Sequence, residues 1–257
     1  MRISFRLVFV AALVAVGAAG AGWYLNARRS VAGPSPDSDE YRQLVSAFYR
    51  GLAALDTGLL DNAQADFTRA TVIAPMEPSG WANLGLVHLR RAEPDAAAQA
   101  INRAAVLAPD SSDIEMLKGA LELSRGNLDA AIARLRRAAA LDPRSVRPRF
   151  ALAEALERAR ETSDTAAGAE AEQLLDAILA LQPDNLAVLV ERTRLAARRG
   201  DATRFDALVA RIAVLSTGWP APALEQLVSL RAAAGTNPQA AGRELAFLRN
   251  VLAPVPA

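Results

Sequence analysis

The sequence predicts an all-α protein assembled from a repeated pair of helices, and three observations support this. Pro75, Pro109 and Pro143 follow one another at intervals of 34 residues, and a fixed period of this size indicates an array of structural repeats. Hydrophobic residues make up 52% of the chain but aromatic residues only 5%, which favours helices packed through small side chains. In residues 81–88 (WANLGLVH), apolar residues recur at the helical steps of three and four.

The amino-terminal segment is predicted to be a membrane anchor. Arg2 and Arg6 precede an uncharged run, residues 7–25, whose 19 residues would form a helix about 28 Å long, close to the roughly 30 Å of bilayer hydrocarbon. Trp23 and Tyr24 lie near the end of this run, as is typical of residues at a membrane interface. Residues 1–25 are therefore expected to form a single transmembrane helix in a bacterial cytoplasmic (inner) membrane, with the remaining chain on the periplasmic side.

A cleavable secretion signal is the alternative interpretation of the same segment. Residues 7–16 would then be its short apolar region, and residues 19–21 (Ala-Gly-Ala) its cleavage site. In that case the mature protein would be released into the periplasm.

Residues 26–40 are predicted to form a flexible linker. Residues 30–40 (SVAGPSPDSDE) are mostly polar and contain two prolines, a composition that disfavours a packed helix. The folded part is expected to begin near Tyr41 and to extend to residue 252.

Three consecutive units, residues 44–77, 78–111 and 112–145, carry similar residues at matching places. A glycine within a helix costs roughly 1 kcal/mol relative to alanine, so a glycine such as Gly85 is expected to permit close approach of a second helix. Matching places hold Gly51, Phe67 and Pro75 in the first unit, Gly85, Ile101 and Pro109 in the second, and Gly119, Leu135 and Pro143 in the third.

The repeat becomes less regular after residue 145. A fourth unit fits if six residues are inserted, and residues 160–168 (RETSDTAAG) are the predicted place between its two helices. A fifth unit begins at Leu186 and keeps Gly200 at its turn. Two further helices, at about 222–234 and 238–252, are expected to cap the array, since a terminal repeat must cover the apolar face of its neighbour.

The residues of these units resemble the tetratricopeptide repeat, a helix-turn-helix unit of 34 residues with a characteristic Trp, Leu-Gly, Tyr, Ala, Phe, Ala and Pro pattern. Residues 78–111 match it best, and His88 and Ile101 depart from it at the tyrosine and phenylalanine places. The resemblance implies an α-solenoid whose concave groove, lined mainly by the first helix of each repeat, binds peptide segments or partner helices.

The resemblance also assigns peptide binding to groove-facing residues of the first helices. These residues are largely apolar in the first three units and charged farther along, although packing between helices is an alternative role for several of the leucines. The chain-terminal carboxylate clamp of one family variant is not expected, because Asn83 matches it but the third unit lacks the basic residues it needs. The predicted peptide-binding residues are Phe48, Tyr49, Leu52, Asn83, Leu86, Leu89, Met116, Arg147 and Arg194.

No catalytic, cofactor or metal site is predicted. His88 is the single histidine and occupies a packing place of the repeat, and the chain has no cysteine. Lys118, the single lysine, does not belong to a glycine-rich phosphate loop. The acidic stretch at residues 109–115 (PDSSDIE) is interpreted as a helix start capped by Ser111 or Ser112 rather than as a cation site.

The predicted function is that of a non-catalytic scaffold for protein–protein interaction at the outer face of the membrane. The 29 basic and 28 acidic residues are interspersed, which argues against nucleic acid as a partner. The alternative is an accessory amino-terminal repeat region, or a subunit, of a larger envelope complex or longer polypeptide whose activity lies elsewhere.

Overall fold

The computed structural model describes residues 33–161 and 165–233, together with Ala241 and Leu245. All regular secondary structure in these residues is α-helical, which confirms the predicted class. The helices are α1 (Asp39–Asp56), α2 (Leu60–Ile73), α3 (Pro78–Arg90), α4 (Pro94–Leu107), α5 (Ser112–Ser124), α6 (Leu128–Leu141), α7 (Val146–Glu161), α8 (Thr165–Leu181), α9 (Leu186–Arg199), α10 (Ala202–Val214) and α11 (Ala221–Ala233).

The predicted membrane anchor, residues 1–25, lies outside the described residues, as does the linker up to residue 32. Among the helices listed above, none has both the length and the apolar character that crossing a bilayer requires. The first of them begins at Asp39, two residues before the predicted start, because the Ser38 hydroxyl accepts a hydrogen bond from the Tyr41 backbone N–H at 3.1 Å and caps the helix.

The helices associate as antiparallel pairs, as the helix-turn-helix repeat requires. The chain divides into two compact units, Met1–Pro109 and Asp110–Ala257. In unit 1, α1 packs on α2, and α3 packs on both α2 and α4. In unit 2 the pairs are α5 with α6, α7 with α8 and α9 with α10, and α11 packs on α10.

Each unit has its own hydrophobic core, to which both helices of every pair contribute. In unit 1 the core is centred on Phe67, and in unit 2 it extends as far as Ala241 and Leu245 near the end of the chain. The fully enclosed large side chains are Phe67, Ile101, Leu135, Leu156, Leu175, Ile178, Leu189, Phe205, Ile212, Leu230 and Leu245.

The predicted close approach at the repeat glycines is confirmed. A Cβ atom added to Gly85 would lie 2.6 Å from Cγ1 of Ile101, which is closer than real Cβ contacts. The same addition at Gly119 would lie 2.8 Å from Cγ of Leu135. In each of these two helix pairs, a glycine on the first helix therefore contacts a large buried residue on the second helix, and the two helices approach closely there.

The six inserted residues lengthen the fourth pair's helices. The first helices α3 and α5 have 13 residues and α7 has 16, whereas the second helices α4 and α6 have 14 residues and α8 has 17. Part of the predicted turn region is thus helical, since α7 runs to Glu161 and α8 begins at Thr165.

The turns within the pairs use a left-handed backbone residue at one fixed place. Gly58, Gly126 and Gly200 have φ values of 76°, 79° and 70°, but Ala92 at the same place has a φ of 58°. The following N–H, that of Glu93, closes the helix end by donating to the His88 carbonyl at 2.9 Å. Ala92 is therefore strained where its three counterparts are not.

We expect Ala92→Gly to stabilise unit 1 by about 1 kcal/mol, because the left-handed conformation costs an alanine roughly that much. Urea unfolding of the full-length chain in mild detergent, followed by circular dichroism, measures the effect. Ala98→Gly in the interior of α4 is the matched control and should destabilise by about 1 kcal/mol. A loss of stability in both variants would contradict the strain at Ala92.

Candidate peptide-binding site

The first helix of each pair has one face that its second helix does not cover. The repeat glycine marks the covered face, and Ala153 in α7 and Thr193 in α9 occupy the same place. The residues two before and one after that place lie on the other side of the helix. All of these residues are partly or fully exposed, and we call them the open face. They are Tyr49 and Leu52 on α1, Asn83 and Leu86 on α3, Leu117 and Ala120 on α5, Ala151 and Glu154 on α7, and Glu191 and Arg194 on α9.

The open face of unit 1 is apolar. Tyr49 is 67% exposed, and Leu52 and Leu86 are half-buried with one side packed against the core. Phe48 lies beside them and meets the core ring of Phe67 edge-on, with centroids 5.8 Å apart. Three of these residues pack against the core and are also partly exposed, namely Phe48, Leu52 and Leu86. Packing between helices and contact with a peptide are therefore both open to them.

Two polar contacts organise this apolar surface. Asn83 donates from Nδ2 to the Ser79 carbonyl at 2.9 Å, within its own helix. Arg90 donates from Nη1 to the Leu55 carbonyl at 2.6 Å and so fastens α3 to the end of α1. The half-buried Leu89 precedes Arg90, and the six predicted residues of unit 1 therefore lie on two first helices that are tied together.

The three predicted residues of unit 2 lie on separate first helices. Met116 is half-buried against the core. Arg147 is exposed and pairs with Asp113 at 3.3 Å. Arg194 is largely enclosed, and its Nε lies 2.9 Å from Oε2 of Glu191.

Glu157 is a charged residue of this surface that the sequence interpretation did not single out. Its side chain is only 6% exposed, and three guanidinium groups share its Oε2 atom. The distances are 3.2 Å to Nε of Arg160, 3.8 Å to Nη2 of Arg194 and 3.6 Å to Nη1 of Arg198. The alternating charges on α7 and α9 were visible in the sequence, but the burial of one carboxylate among three arginines was not.

Glu115 is a second buried carboxylate, and it occupies the place at which Trp81 stands in the preceding repeat. Its side chain is 1% exposed, with Nζ of Lys118 at 2.8 Å and Nη1 of Arg134 at 3.4 Å. Burial by itself raises the pKa of Glu115, but the hydrogen bond and charge of Lys118, with the charges of Arg134 and Arg137, outweigh burial and lower the pKa below its usual value.

We expect the carboxylate of Glu115 to stabilise unit 2 at neutral pH and to lose this effect in acid. Because its folded-state pKa lies below the unfolded value of about 4.3, the contribution is complete above that pH and disappears as the pH falls through the folded pKa. Glu115→Gln should cost about 1 kcal/mol at pH 7 and flatten the acid limb of the stability profile. Urea unfolding at a series of pH values between about pH 3 and pH 7 tests this.

Asp113→Asn is the matched control for Glu115→Gln, since Asp113 lies on the same helix but is 72% exposed. Replacing the Asp113 carboxylate should change the free energy of unfolding by less than about 0.5 kcal/mol at any pH between about 3 and 7. An unchanged acid limb in Glu115→Gln would contradict the assignment.

His88 is half-buried, and its Nδ1 lies 2.7 Å from Oε2 of Glu93, the residue immediately before α4. Hydrogen bonds from Arg91 and then from His88 lower the pKa of Glu93. Across the part of the chain that the structure describes, no three histidine, cysteine or acidic side chains are grouped so as to hold a metal ion.

Comparison with known proteins relates this arrangement to a family. The tetratricopeptide repeat model matches residues 49–112 and 116–169. No curated protein matches the chain in sequence.

Several solved structures are similar in fold. PilF of Pseudomonas aeruginosa is 18% identical, with a TM-score of 0.63 over 85% of this chain and 96% of that one. Yeast Tom70 is 18% identical, with a TM-score of 0.61 over 73% of this chain and 39% of that one. A thermophilic tetratricopeptide repeat protein of Thermus thermophilus is 18% identical, with a TM-score of 0.58 over 74% of this chain and 98% of that one. The 34-residue glycine and proline pattern, the helix pairs and the matched residues agree, and residues 49–112 and 116–169 consist of tetratricopeptide repeats.

Proposed function

We propose that this protein is a non-catalytic scaffold that binds peptide segments or partner helices of other proteins on the open faces of its first helices. The apolar surface of unit 1 carries the proposal. Tyr49, Leu52 and Leu86 of the open face, with Leu89 one helical turn after Leu86, expose apolar area on helices that the core and the Arg90 contact hold in place. A preorganised apolar surface of this kind loses little conformational entropy when it binds a partner.

We also propose that residues 1–25 hold this scaffold at the outer face of the cytoplasmic membrane. The 19-residue uncharged run and the aromatic residues at its end support an anchor. Membrane fractionation with amino-terminal sequencing of the mature protein tests it. A mature chain that starts near Gly22 would exclude the anchor in favour of a cleaved signal.

A pull-down from envelope extract with the full-length chain tests the binding surface. Tyr49→Arg with Leu89→Arg should abolish capture of the partner, because two charged side chains would have to be desolvated in the interface. Both residues are exposed or half-buried, so helicity should be retained and can be checked by circular dichroism.

The matched control for this pull-down is Val72→Arg. Val72 is 75% exposed and apolar, but it lies on the second helix α2. The control should capture the same partners as the wild type. Capture that is equal in all three proteins would refute the open face of unit 1 as the binding surface.

A further inference from the structure

We propose that the open face of unit 1 binds its partner as an amphipathic helix, and not as an extended or proline-rich segment. The inference rests on the proposed binding function, which includes both forms of ligand, and selects one of them. It depends on what α1 and α3 offer to the backbone of a ligand. A helix pairs its own backbone groups, whereas an extended chain needs partners for them on the protein.

The binding surface consists of two adjoining stripes that continue the open face along α1 and α3. Side chains of both helices pack into the same hydrophobic cluster, so the stripes form one surface. Every residue of the stripes is partly or fully exposed, and six of the eight have hydrocarbon side chains. The residues are Val45, Phe48, Tyr49 and Leu52 on α1, and Ala82, Asn83, Leu86 and Leu89 on α3.

The two polar members of the stripes have little hydrogen-bonding capacity to offer. Asn83 donates from Nδ2 to the Ser79 carbonyl at 2.9 Å, so part of its amide is already used within α3. Tyr49 adds a single hydroxyl. The backbone groups in the middle of both helices are paired within the helices themselves. The surface therefore has few partners for the backbone of a bound chain.

Charged side chains near the stripes do not select a charged ligand. Two arginines of α1 are paired with aspartates, namely Arg42 with Asp39 and Arg50 with Asp66. Arg90 and Asp56 stand at the ends of α3 and α1 and contribute one charge of each sign. Arg90 also donates to the Leu55 carbonyl. Apolar contact is therefore the main feature that a ligand of this surface has to match.

The length of the stripes distinguishes the two forms of ligand. From Val45 to Leu52, and from Ala82 to Leu89, each helix rises about 10.5 Å. An extended or proline-rich segment would place about three residues over this length, and their backbone groups would lose water without finding partners on hydrocarbon side chains. A helix of about two turns covers the same length with apolar side chains at steps of three and four.

The test uses fluorescent peptides of about sixteen residues, long enough for about four helical turns, and full-length protein in nanodiscs. The helical series carries every combination of Leu, Ile, Met and Phe at i, i+3, i+4 and i+7, in a background of alanine and glutamine with equal numbers of lysine and glutamate. The alternating series has the same residues with the apolar ones at i, i+2, i+4 and i+6. The proline series keeps the helical order but has two prolines on its polar face.

We expect the helical series to bind at least about tenfold more tightly than both other series. Peptide that binds to empty nanodiscs is subtracted. Infrared spectroscopy of a bound peptide with ¹³C-labelled carbonyls separates its amide band from that of the protein and should show a helix.

Two protein variants assign the binding to this surface. Tyr49→Arg with Leu89→Arg should weaken binding of the helical series at least about tenfold, because two charged side chains would have to be desolvated. The matched control Val72→Arg adds a charge on the second helix α2 and should bind like the wild type.

Three results would overturn the inference. They are equal or tighter binding of the alternating or proline series, an extended conformation of the bound peptide, and no binding by any helical peptide. All three leave the proposed function intact if the Tyr49→Arg with Leu89→Arg protein loses its partner in the pull-down. The proposed function fails separately, when that variant captures the same partner as the wild type.

Discussion

Replacing Arg192 by methionine is expected to destabilise the α8–α10 region by about 3 kcal/mol. The Arg192 side chain is 7% exposed, and its Nε lies 3.0 Å from Oδ1 of Asp176. Its Nη2 lies 3.1 Å from Oε2 of Glu172. Methionine would fill much of the space but leave two acidic groups without the cation between them, and breaking a buried pair on one side typically costs about 3–5 kcal/mol.

The surroundings of Glu172 explain why we expect a cost of about 3 kcal/mol, the lower end of the range for a broken buried pair, and not a smaller one. Nε of Arg199 lies 2.6 Å from Oε1 of Glu172, but that oxygen accepts no hydrogen bond among the described residues. In the variant, Arg199 would therefore still compensate the charge of Glu172 but would not donate a hydrogen bond to its Oε1. Hydrogen exchange of the full-length chain, followed peptide by peptide, should show faster exchange across α8, α9 and α10.

Arg204→Met is the matched control for Arg192→Met. Arg204 also pairs with Asp176, at 2.6 Å, but its side chain is 44% exposed. An exposed pair contributes at most about 1 kcal/mol, so exchange should change little. In Arg192→Met, adding Glu172→Gln should recover part of the loss. Equal exchange in the two arginine variants would contradict a special role for Arg192.

Gly85→Ala is expected to destabilise unit 1 by about 2 kcal/mol although alanine is the better helix former. The intrinsic preference favours alanine by about 1 kcal/mol, whereas overpacking of a core typically costs about 1–3 kcal/mol, and so short a contact places this site at the upper end of that range. The new Cβ would lie 2.6 Å from Cγ1 of Ile101 and 3.4 Å from its backbone N. Ile101 is fully buried, so this rigid part of its side chain cannot move aside without shifting α4.

Urea unfolding of Gly85→Ala and of the control Gly80→Ala measures this effect. Gly80 lies on the same helix, and its nearest neighbour for a new Cβ is Cγ2 of Thr71 at 3.4 Å, so alanine should be tolerated there. Ile101→Ala combined with Gly85→Ala should cost less than the sum of the single changes, because the truncation removes the clashing atom. Strict additivity would show that the two residues do not meet.

The fold was largely predictable because the repeat places its structural residues at fixed intervals. The 34-residue period predicted that a second helix approaches closely at Gly85, and the structure places Ile101 of that helix against this glycine. The helix start at residues 109–115 was also predicted, and the Ser111 hydroxyl accepts a hydrogen bond from the Ile114 N–H. Local chemistry of this kind depends only on neighbours along the chain.

The tryptophan place of the repeat is occupied by other residues in the later units, and the contacts that these residues make were not predictable from the sequence. Trp81 donates from Nε1 to the Pro75 carbonyl at 2.9 Å, and Arg149, in the same place two repeats later, donates to the Pro143 carbonyl. An arginine can replace this donor function, whereas Glu115 at the intervening place cannot donate and is held by Lys118 instead. Such solutions depend on partners from other helices, which spacing alone does not identify.

The ion pairing of the charged residues on the first helices was not predictable. The family pattern indicated Arg147 and Arg194 equally, yet Arg147 is exposed and Arg194 is engaged with Glu191 and Glu157. Burial and ion pairing of this surface follow from how α7 and α9 lie side by side, which the sequence does not specify.

The longer helices of the fourth pair have a practical use. Because α7 and α8 are antiparallel, the three residues added to the end of α7 and the three added to the start of α8 extend the same end of the hairpin, by about 4.5 Å. The core residues nearest to that end are Ala159 on α7 and Ala167 on α8, and the chain between Glu161 and Thr165 lies beyond both of them in sequence. A fluorescent protein or an affinity tag grafted between Glu161 and Thr165 should therefore leave the protein folded and its binding faces accessible.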